Sequence, residues 1–290
     1  MTKIQWTDEV WNPVVGCARV SPGCANCYAE RVAHRGLTKH HRGLTVVGNH
    51  GPRWTGEARF VPEAQWKPLH WRKPRRVFVN SMSDLFHDDI TFEQIAAVFG
   101  VMAATPHLTY QVLTKRPARM LEFMRWIGRA TEWPLPNVWL GVSVEDQRRA
   151  DERIPLLLEC PAAVRFLSVE PMLEAIDLRR WTNDEHGRRH IGAPAGIGWV
   201  IVGGESGPGA RPCSLGWIRS VVEQCGAAGV PVFVKQLGAD VRGPWGNRKN
   251  GQPWSEDYIH LKHNIIDRKG GDPSEWPEDL RVQEFPEVRR

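Results

Sequence analysis

The sequence predicts a parallel α/β fold, a partial or full (β/α) barrel of about six to seven strands, on three observations. Short β-branched or apolar runs recur along the chain, each ends in polar residues, and a helix-period pattern follows each one. The runs are RVFVN (76–80), YQVLT (110–114), NVWLGVS (137–143), VRFLSV (164–169), WVIVGG (199–204) and VPVFVK (230–235). None is joined to the next by a tight-hairpin signal, as expected of strands buried on both faces. A doubly wound open sheet is the competing arrangement.

The first strand is expected near VWNPVVG (10–16), just before Cys17. Thr91 and Gln94 form a capping-box pattern ahead of Ile95, Phe99 and Met102, and Pro106 marks the stop. Pro117 suits a first helical position before MLEFMRWI. Residues 146–158 read as a polar-then-apolar helix. Ser214 can cap a helix with Ile218, Val221, Val222 and Cys225 on one face, ended near Gly226 or Gly229. That spacing makes Cys225 a core residue rather than a ligand. Residues 1–237 are read as the barrel domain, with insertions at 36–75 and 174–197. Residues 238–290, rich in Gly, Pro, Trp and charge, are read as an irregular extension packed on it.

A chain of 290 residues with 41% hydrophobic content can bury a sizeable core. It has no apolar run of about 18 residues, and MTKIQWTDEV lacks a signal peptide's apolar stretch, so a soluble, cytoplasmic protein without a membrane partner is expected. In a reducing compartment, clustered cysteines point to metal or redox chemistry rather than disulfides. Cys160, Cys213 and Cys225 are scattered and have no obvious partners.

The net charge of +5 is unevenly spread: residues 31–76 hold eleven Lys or Arg against Glu57 and Glu63 alone. Five histidines share that stretch with Trp54, Trp66 and Trp71, three of the chain's fourteen tryptophans. Cations interleaved with aromatics suit a phosphate backbone and exposed bases. A solvated basic loop is the alternative reading.

In parallel α/β folds chemistry collects at the carboxyl ends of the strands, and here those ends are polar. They carry Ser81, Ser83 and Asp84; Thr114, Lys115 and Arg116; Ser143 and Glu145; Ser168 and Glu170; Gly203, Gly204, Glu205 and Ser206; then Lys235 and Gln236. Carboxylates mixed with Lys115, Arg116 and Lys235 suit a zwitterionic or phosphate-bearing ligand. Any one carboxylate is equally a cap or surface ion pair; it is the repetition that points to a site.

Cys17, Cys24 and Cys27 read C-x6-C-x2-C after the first strand, with Gly16 allowing a tight exit and a helix opening through Tyr28 and Val32. Thiolates at a helix N-terminus are expected to ionise more easily. Structural zinc would want a fourth ligand, from Cys213 or one of His34, His40 and His41. The zinc-deaminase signature is absent, since Gly23 and not Pro precedes Cys24. A 4Fe–4S cluster on three cysteines leaves one iron open. Spacing leaves zinc and cluster level; the position at the end of a first barrel strand favours the cluster.

With that position the sequence resembles the radical S-adenosylmethionine superfamily, a partial barrel whose first strand ends in a three-cysteine loop carrying a 4Fe–4S cluster. More closely, WNPVVGC, SPGCANCYAERVA, LTKRP, GVSVE, SVEPM, WVIVGGESGPGARPC, VFVKQLG and GGDPSEWPEDLRVQEFP look like a phage- and bacteria-associated three-cysteine family of undefined function, over nearly the whole chain. Two departures stand out. The superfamily loop is usually C-x3-C-x2-C with an aromatic before the last cysteine; here the first gap is six and Asn26 precedes Cys27, with Tyr28 one place beyond it. The usual Gly-Gly-Glu after the second strand is replaced by Ser81-Met82-Ser83-Asp84; Gly203-Gly204-Glu205 comes later and is not its equivalent.

The resemblance implies that the open iron binds the amino and carboxylate groups of S-adenosylmethionine, which one electron cleaves to methionine and a 5′-deoxyadenosyl radical. Cys17, Cys24 and Cys27 would hold the metal. Ser81, Ser83 and Asp84 would meet the ammonium, Lys115 or Arg116 the carboxylate, and Ser143 or Glu145 the ribose. Gly203 and Gly204 would also line the cofactor site, and Glu170, Glu205 and Lys235 would face the substrate. Three functions follow as expectations. The first is a radical enzyme with an electron donor acting on nucleic acid, DNA favoured, in lesion repair or base modification, by analogy with spore photoproduct lyase. The second is a metal-stabilised (Fe–S or Zn) nucleic-acid- or partner-binding protein without radical chemistry. The third is a radical enzyme on a small molecule or peptide.

Overall fold

Pro13 splits the expected first strand in two. β1 (Glu9–Trp11) and β2 (Val14–Gly16) flank Asn12-Pro13, where a residue without an N–H cannot continue a ladder. β1 pairs in parallel with β6 (Arg75–Val79), Trp11 opposite Val79. β2 leaves that sheet and pairs antiparallel with β5 (Ala58–Phe60), Val14 opposite Phe60. The single strand expected at 10–16 is thereby corrected. The structure, a computed structural model, describes residues 4–36, 38–49, 51–128, 134–182, 196–243 and 265–287.

The remaining elements follow in chain order. They are α1 (Tyr28–His34), β3 (Thr45–Gly48), β4 (Gly51–Trp54) and α2 (Pro62–Gln65), then α3 (Phe92–Ala103), β7 (Leu108–Thr114), α4 (Pro117–Ile127), β8 (Val138–Ser143), α5 (Gln147–Glu159) and β9 (Val164–Val169). They continue as α6 (Arg179–Thr182), β10 (Trp199–Gly203), β11 (Cys213–Ser214), α7 (Leu215–Ala228), β12 (Val232–Gln236) and β13 (Val241–Arg242). Seven strands form one sheet in the order β1-β6-β7-β8-β9-β10-β12, with every described pairing parallel. This is the partial (β/α) barrel class. The chain divides into two compact units, Met1–Val142 with Pro155–Val164, and Ser143–Ile154 with Arg165–Arg290.

In the first unit, Val77, Val79, Tyr110, Val112 and Leu140 are wholly buried. Strands covered on both faces read as continuous apolar runs, which is why these segments show no alternation. α3 opens on the expected capping box: Thr91 Oγ1 accepts from Gln94 N, and Gln94 Oε1 accepts from Thr91 N. Pro117 begins α4. The insertion at 36–75 is not a loose flap. Its β3–β4 hairpin, Val47 opposite Pro52, packs on α1. Ala29, Ala33, Leu44, Trp54, Val15, Val61 and Met82 close into a small apolar cluster there.

In the second unit α7 is capped as expected, Ser214 Oγ accepting from Gly216 N and Gly229 taking a left-handed φ of 65°. Cys225 and Cys213 are fully buried, and burial pushes each thiol up to about 12. Residues 265–287 of the expected extension pack on β12 and β10: Val234 N donates to Val282 O, Glu284 N to Val232 O, and Trp199 Nε1 to Glu284 O. Residues 244–264 of that extension, and 183–195 of the insertion at 174–197, lie outside the described residues. Among the described residues no helix is long and apolar enough to cross a membrane.

Candidate functional site

The three-cysteine loop is anchored at both ends. Gly16, at φ 85°, makes the exit from β2; a Cβ there would stand 2.3 Å from Glu57 O, so only glycine fits. Cys24 ends a 3-10 turn beginning at Pro22, and Cys27 immediately precedes α1. Cys17 and Cys27 are partly buried against the small apolar cluster, and Cys24 Sγ lies 3.9 Å from Ser21 Oγ.

The segment after β6 pins this loop. Ser83 bridges Gly16 in parallel and its Oγ donates to Val14 O at 2.6 Å. Ser81 Oγ donates to Asn12 Oδ1, and Ser81 O accepts from Tyr28 Oη at 2.6 Å. Both serines expected to meet a ligand therefore fasten the cysteine loop to the end of a sheet strand.

Asp84 is the hub of the site. Oδ1 accepts from Thr114 Oγ1 (2.7 Å) and Phe86 N (3.0 Å); Oδ2 accepts from Lys115 N (3.1 Å) and Arg116 Nη1 (3.1 Å). Arg116 also stands 3.9 Å from Cys17 Sγ and donates to Ala18 O at 3.3 Å. One guanidinium thus ties the end of β7 to Asp84 and to the first cysteine. The Asp84 and Arg116 side chains are only 7% and 9% exposed, which leaves this pair little screened by solvent.

Burial pushes the Cys17 thiol up to about 12; Asp84 adds to the rise and Arg116 opposes it. Burial likewise raises Cys27, outweighing the hydrogen bonds from Ala29 N and Glu30 N at the start of α1. The expectation of easy ionisation at a helix start is overturned for these free thiols, because desolvation exceeds the help from two backbone donors.

Two residues here were not singled out in the sequence. Asn80, at the end of β6, is 3% exposed and holds φ 61°, the one left-handed non-glycine among the described residues. Its side-chain Nδ2 and Oδ1 are both buried without a hydrogen-bond partner. Backbone strain together with an unpaired buried amide is a combination that concentrates at ligand sites. His87 is also 3% exposed; Nδ1 accepts from Asp89 N, which puts the proton on Nε2, a buried atom without a partner. The signal available beforehand was Asn80 itself, a residue tolerant of the left-handed region directly after an apolar strand.

In the second unit the expected residues form their own ion pairs. Lys235 Nζ meets Glu170 Oε1 at 2.5 Å, and Gln236 Nε2 bridges that oxygen (3.1 Å) to Gly204 O (2.8 Å). Arg211 grips Glu205 through Nη2 (2.6 Å), Nε (3.0 Å) and its backbone N (2.9 Å). Glu145 is fully buried against Arg153 Nη1 at 2.9 Å, which also donates to Ser143 O. Gly203 and Gly204 lack a Cβ for a packing reason: one at Gly203 would stand 2.9 Å from Gln236 O, and one at Gly204 would stand 2.2 Å from Leu237 O.

Among the described residues no three His, Cys, Asp or Glu side chains stand together as a metal ion requires. The histidines weighed as a fourth zinc ligand face other partners: His34 meets Thr45 Oγ1, His40 meets Glu63, and His41 meets Thr38 Oγ1. The donor chemistry nevertheless fits a soft metal or an iron–sulfur group. Three thiols lie on one short loop, with Arg116 at Cys17 and Arg19 within electrostatic reach of Cys24 and Cys27.

The profile of one protein family, described as Protein of unknown function (DUF5131), matches residues 1–261. The chain belongs to this family. The match takes in the cysteine loop, the Asp84–Arg116 pair, and the Glu145–Arg153, Glu170–Lys235 and Glu205–Arg211 pairs of the second unit. No curated protein and no solved structure matches the chain.

Proposed function

We propose that this protein is a 4Fe–4S enzyme of the radical S-adenosylmethionine type acting on nucleic acid, with DNA the favoured substrate. The observation that carries the reading is the cysteine loop fastened to the end of β6 by the Ser83–Gly16 bridge and reached by Arg116. Cys17, Cys24 and Cys27 would hold the cluster. When bound, it would supply the electron that cleaves S-adenosylmethionine.

The protein's share is binding, orientation and exclusion of water. Arg116 lies at Cys17 and Lys115 acts electrostatically on Cys27, while Asp84 fixes Arg116 in place. Asn80 presents an amide donor and acceptor from a rigid, strained position. The nucleic-acid half rests on the basic segment, where Lys67 and Arg75 lie 5.3 and 5.4 Å from the Trp71 ring and Trp66 is half exposed. The test is release of 5′-deoxyadenosine from anaerobically reconstituted protein given a reductant, with salt-sensitive binding of single-stranded DNA measured beside it.

One observation favours a second reading, a metal-stabilised nucleic-acid-binding protein without radical chemistry. Both oxygens of Asp84 are already engaged by four donors, which leaves the carboxylate after the second sheet strand committed to the protein. That reading keeps the salt-sensitive binding and yields no 5′-deoxyadenosine.

A further inference from the structure

Residues 64–73 divide into side chains that anchor the segment and side chains that it presents. α2 and the 3-10 turn after it, Lys67–His70, pack on α3. Facing inward, Gln65 is buried with its Nε2 donating to Ala97 O at 3.1 Å, Ala64 O accepts from Trp11 Nε1 at 2.7 Å, and Pro68 is buried. Facing outward, Trp66 is 52% and Leu69 46% exposed, and Lys67, Arg72 and Lys73 are exposed with them. The backbone that carries these groups is thus fixed before any partner arrives, which lowers the ordering cost of binding.

The charge of this strip has one sign. Between Glu63 and Asp84 the chain carries no acidic residue. Arg75 and Arg76 are answered by Glu9 and Asp8, whereas Lys67, Arg72 and Lys73 have no acidic partner among the described residues. Lys67 Nζ and Arg75 Cζ lie over the Trp71 ring at 5.3 and 5.4 Å, so cations already occupy that aromatic. The Trp66 ring meets neither cation nor aromatic ring among the described residues. An open indole face beside uncompensated cations suits a base and its flanking phosphates. A lipid surface is the poorer match, because a four-residue turn with Trp66 and Leu69 exposed lacks the continuous apolar face of an interfacial helix.

The strip does not lead to the cysteines. Trp71 O accepts from His107 Nε2 at 2.7 Å, just ahead of β7, and Arg75 opens β6. The cysteine loop is fastened beyond the other end of β6, through Ser83. The length of β6, ~13 Å at the usual rise per residue, separates the two. We propose that Trp66, Lys67, Arg72 and Lys73 form an anchoring surface for single-stranded nucleic acid, remote from the cysteine loop. A base stacks on Trp66 and the three cations meet phosphates. This rests on the nucleic-acid reading of the function, and it adds that the strand is gripped at a place where no chemistry occurs.

The experiment measures binding of a labelled twenty-nucleotide single-stranded DNA, and of the RNA of the same sequence, to the full chain by fluorescence anisotropy across a salt series. It compares the native protein with Trp66→Ala, with Arg72→Gln/Lys73→Gln, and with the control Arg125→Gln/Arg148→Gln, which removes two exposed, glutamate-paired cations elsewhere. Trp66→Ala should weaken binding at least about fivefold with the salt slope unchanged, the scale of one lost base stack. Arg72→Gln/Lys73→Gln should weaken it and reduce the salt slope by about 1.4, two single-strand phosphate contacts. The control should match the native protein in both respects, which separates a local contact from net charge. The tighter of the two probes identifies the sugar of the strand. Since the side chains replaced are exposed, the two strip variants read the same surface independently if either is poorly folded. Tight, salt-sensitive binding that both strip variants leave unchanged overturns the anchoring surface while the nucleic-acid reading stands. Absence of salt-sensitive binding to either probe overturns both. Co-sedimentation with phosphatidylserine vesicles that the strip variants abolish, with DNA and RNA binding unaffected, also overturns the proposal and assigns the strip to a membrane.

Discussion

Asp84 and Arg116 form a buried ion pair, Oδ2 to Nη1 at 3.1 Å, and the same guanidinium lies 3.9 Å from Cys17 Sγ. A charged contact between the ends of two sheet strands therefore reaches the first residue of the cysteine loop. Breaking a buried pair from one side leaves the other charge stranded, so Asp84→Ala should cost about 3–5 kcal/mol of stability. Urea unfolding of the metal-free variant measures this directly. A loss below about 1 kcal/mol, typical of exposed pairs, would show that Asp84 is not the structural hub its four donors imply.

Asn80 predicts a split between stability and function. Glycine at φ 61° has no Cβ to crowd there, a small gain over an Asn that already tolerates the left-handed region, and it removes a buried amide with no partner. Asn80→Gly should hold or raise the melting temperature while weakening S-adenosylmethionine binding. A variant that melts earlier would make the amide a structural group instead.

Two buried histidines set a pH dependence. Burial lowers the pKa of His41 and of His87 below the ordinary 6.5, with the His40 charge adding to the first and Arg116 to the second. The folded state thus holds both neutral while the unfolded chain takes up protons first. Stability should be complete above pH 6.5 and fall as pH drops through and below that value. Unfolding midpoints between pH 8 and pH 5 check the sign; His87→Gln should flatten the slope, and a midpoint that rises on acidification would contradict it.

Cysteine variants separate ligands from core. Cys17→Ala, Cys24→Ala and Cys27→Ala should each abolish bound metal, measured per chain after anaerobic purification. Cys225→Ala, in the buried face of α7, should keep the metal and lose only stability, by about 1 kcal/mol for one small buried group. Equal metal loss from Cys225→Ala would overturn its placement in the core.

What was legible in the sequence was local. The capping box at Thr91 and Gln94, Pro117 opening α4, and Ser214 with Gly229 bounding α7 all depend on neighbours within one turn. The apolar runs announced the sheet strands because strands covered on both faces need no alternation. The first strand was misread because VWNPVVG is apolar enough for one strand, while Pro13 sends its second half to pair with β5. The site was legible only as a list of polar strand ends. Asp84 meets Thr114 and Arg116 thirty and thirty-two residues on, and Arg53 comes to Cys27 only once the hairpin folds on α1. Such pairings are set by packing and not by spacing. The strand-end glycines 203 and 204 likewise answer to Gln236 and Leu237, contacts that a sequence does not display.

We propose Cys17, Cys24 and Cys27 as the ligands of an iron–sulfur cluster. Metal content and the visible spectrum of the anaerobically purified full chain test it most directly. A brown protein with about four iron and four sulfide per chain, bleached by reductant, is the predicted result. Stoichiometric zinc with no iron would contradict it.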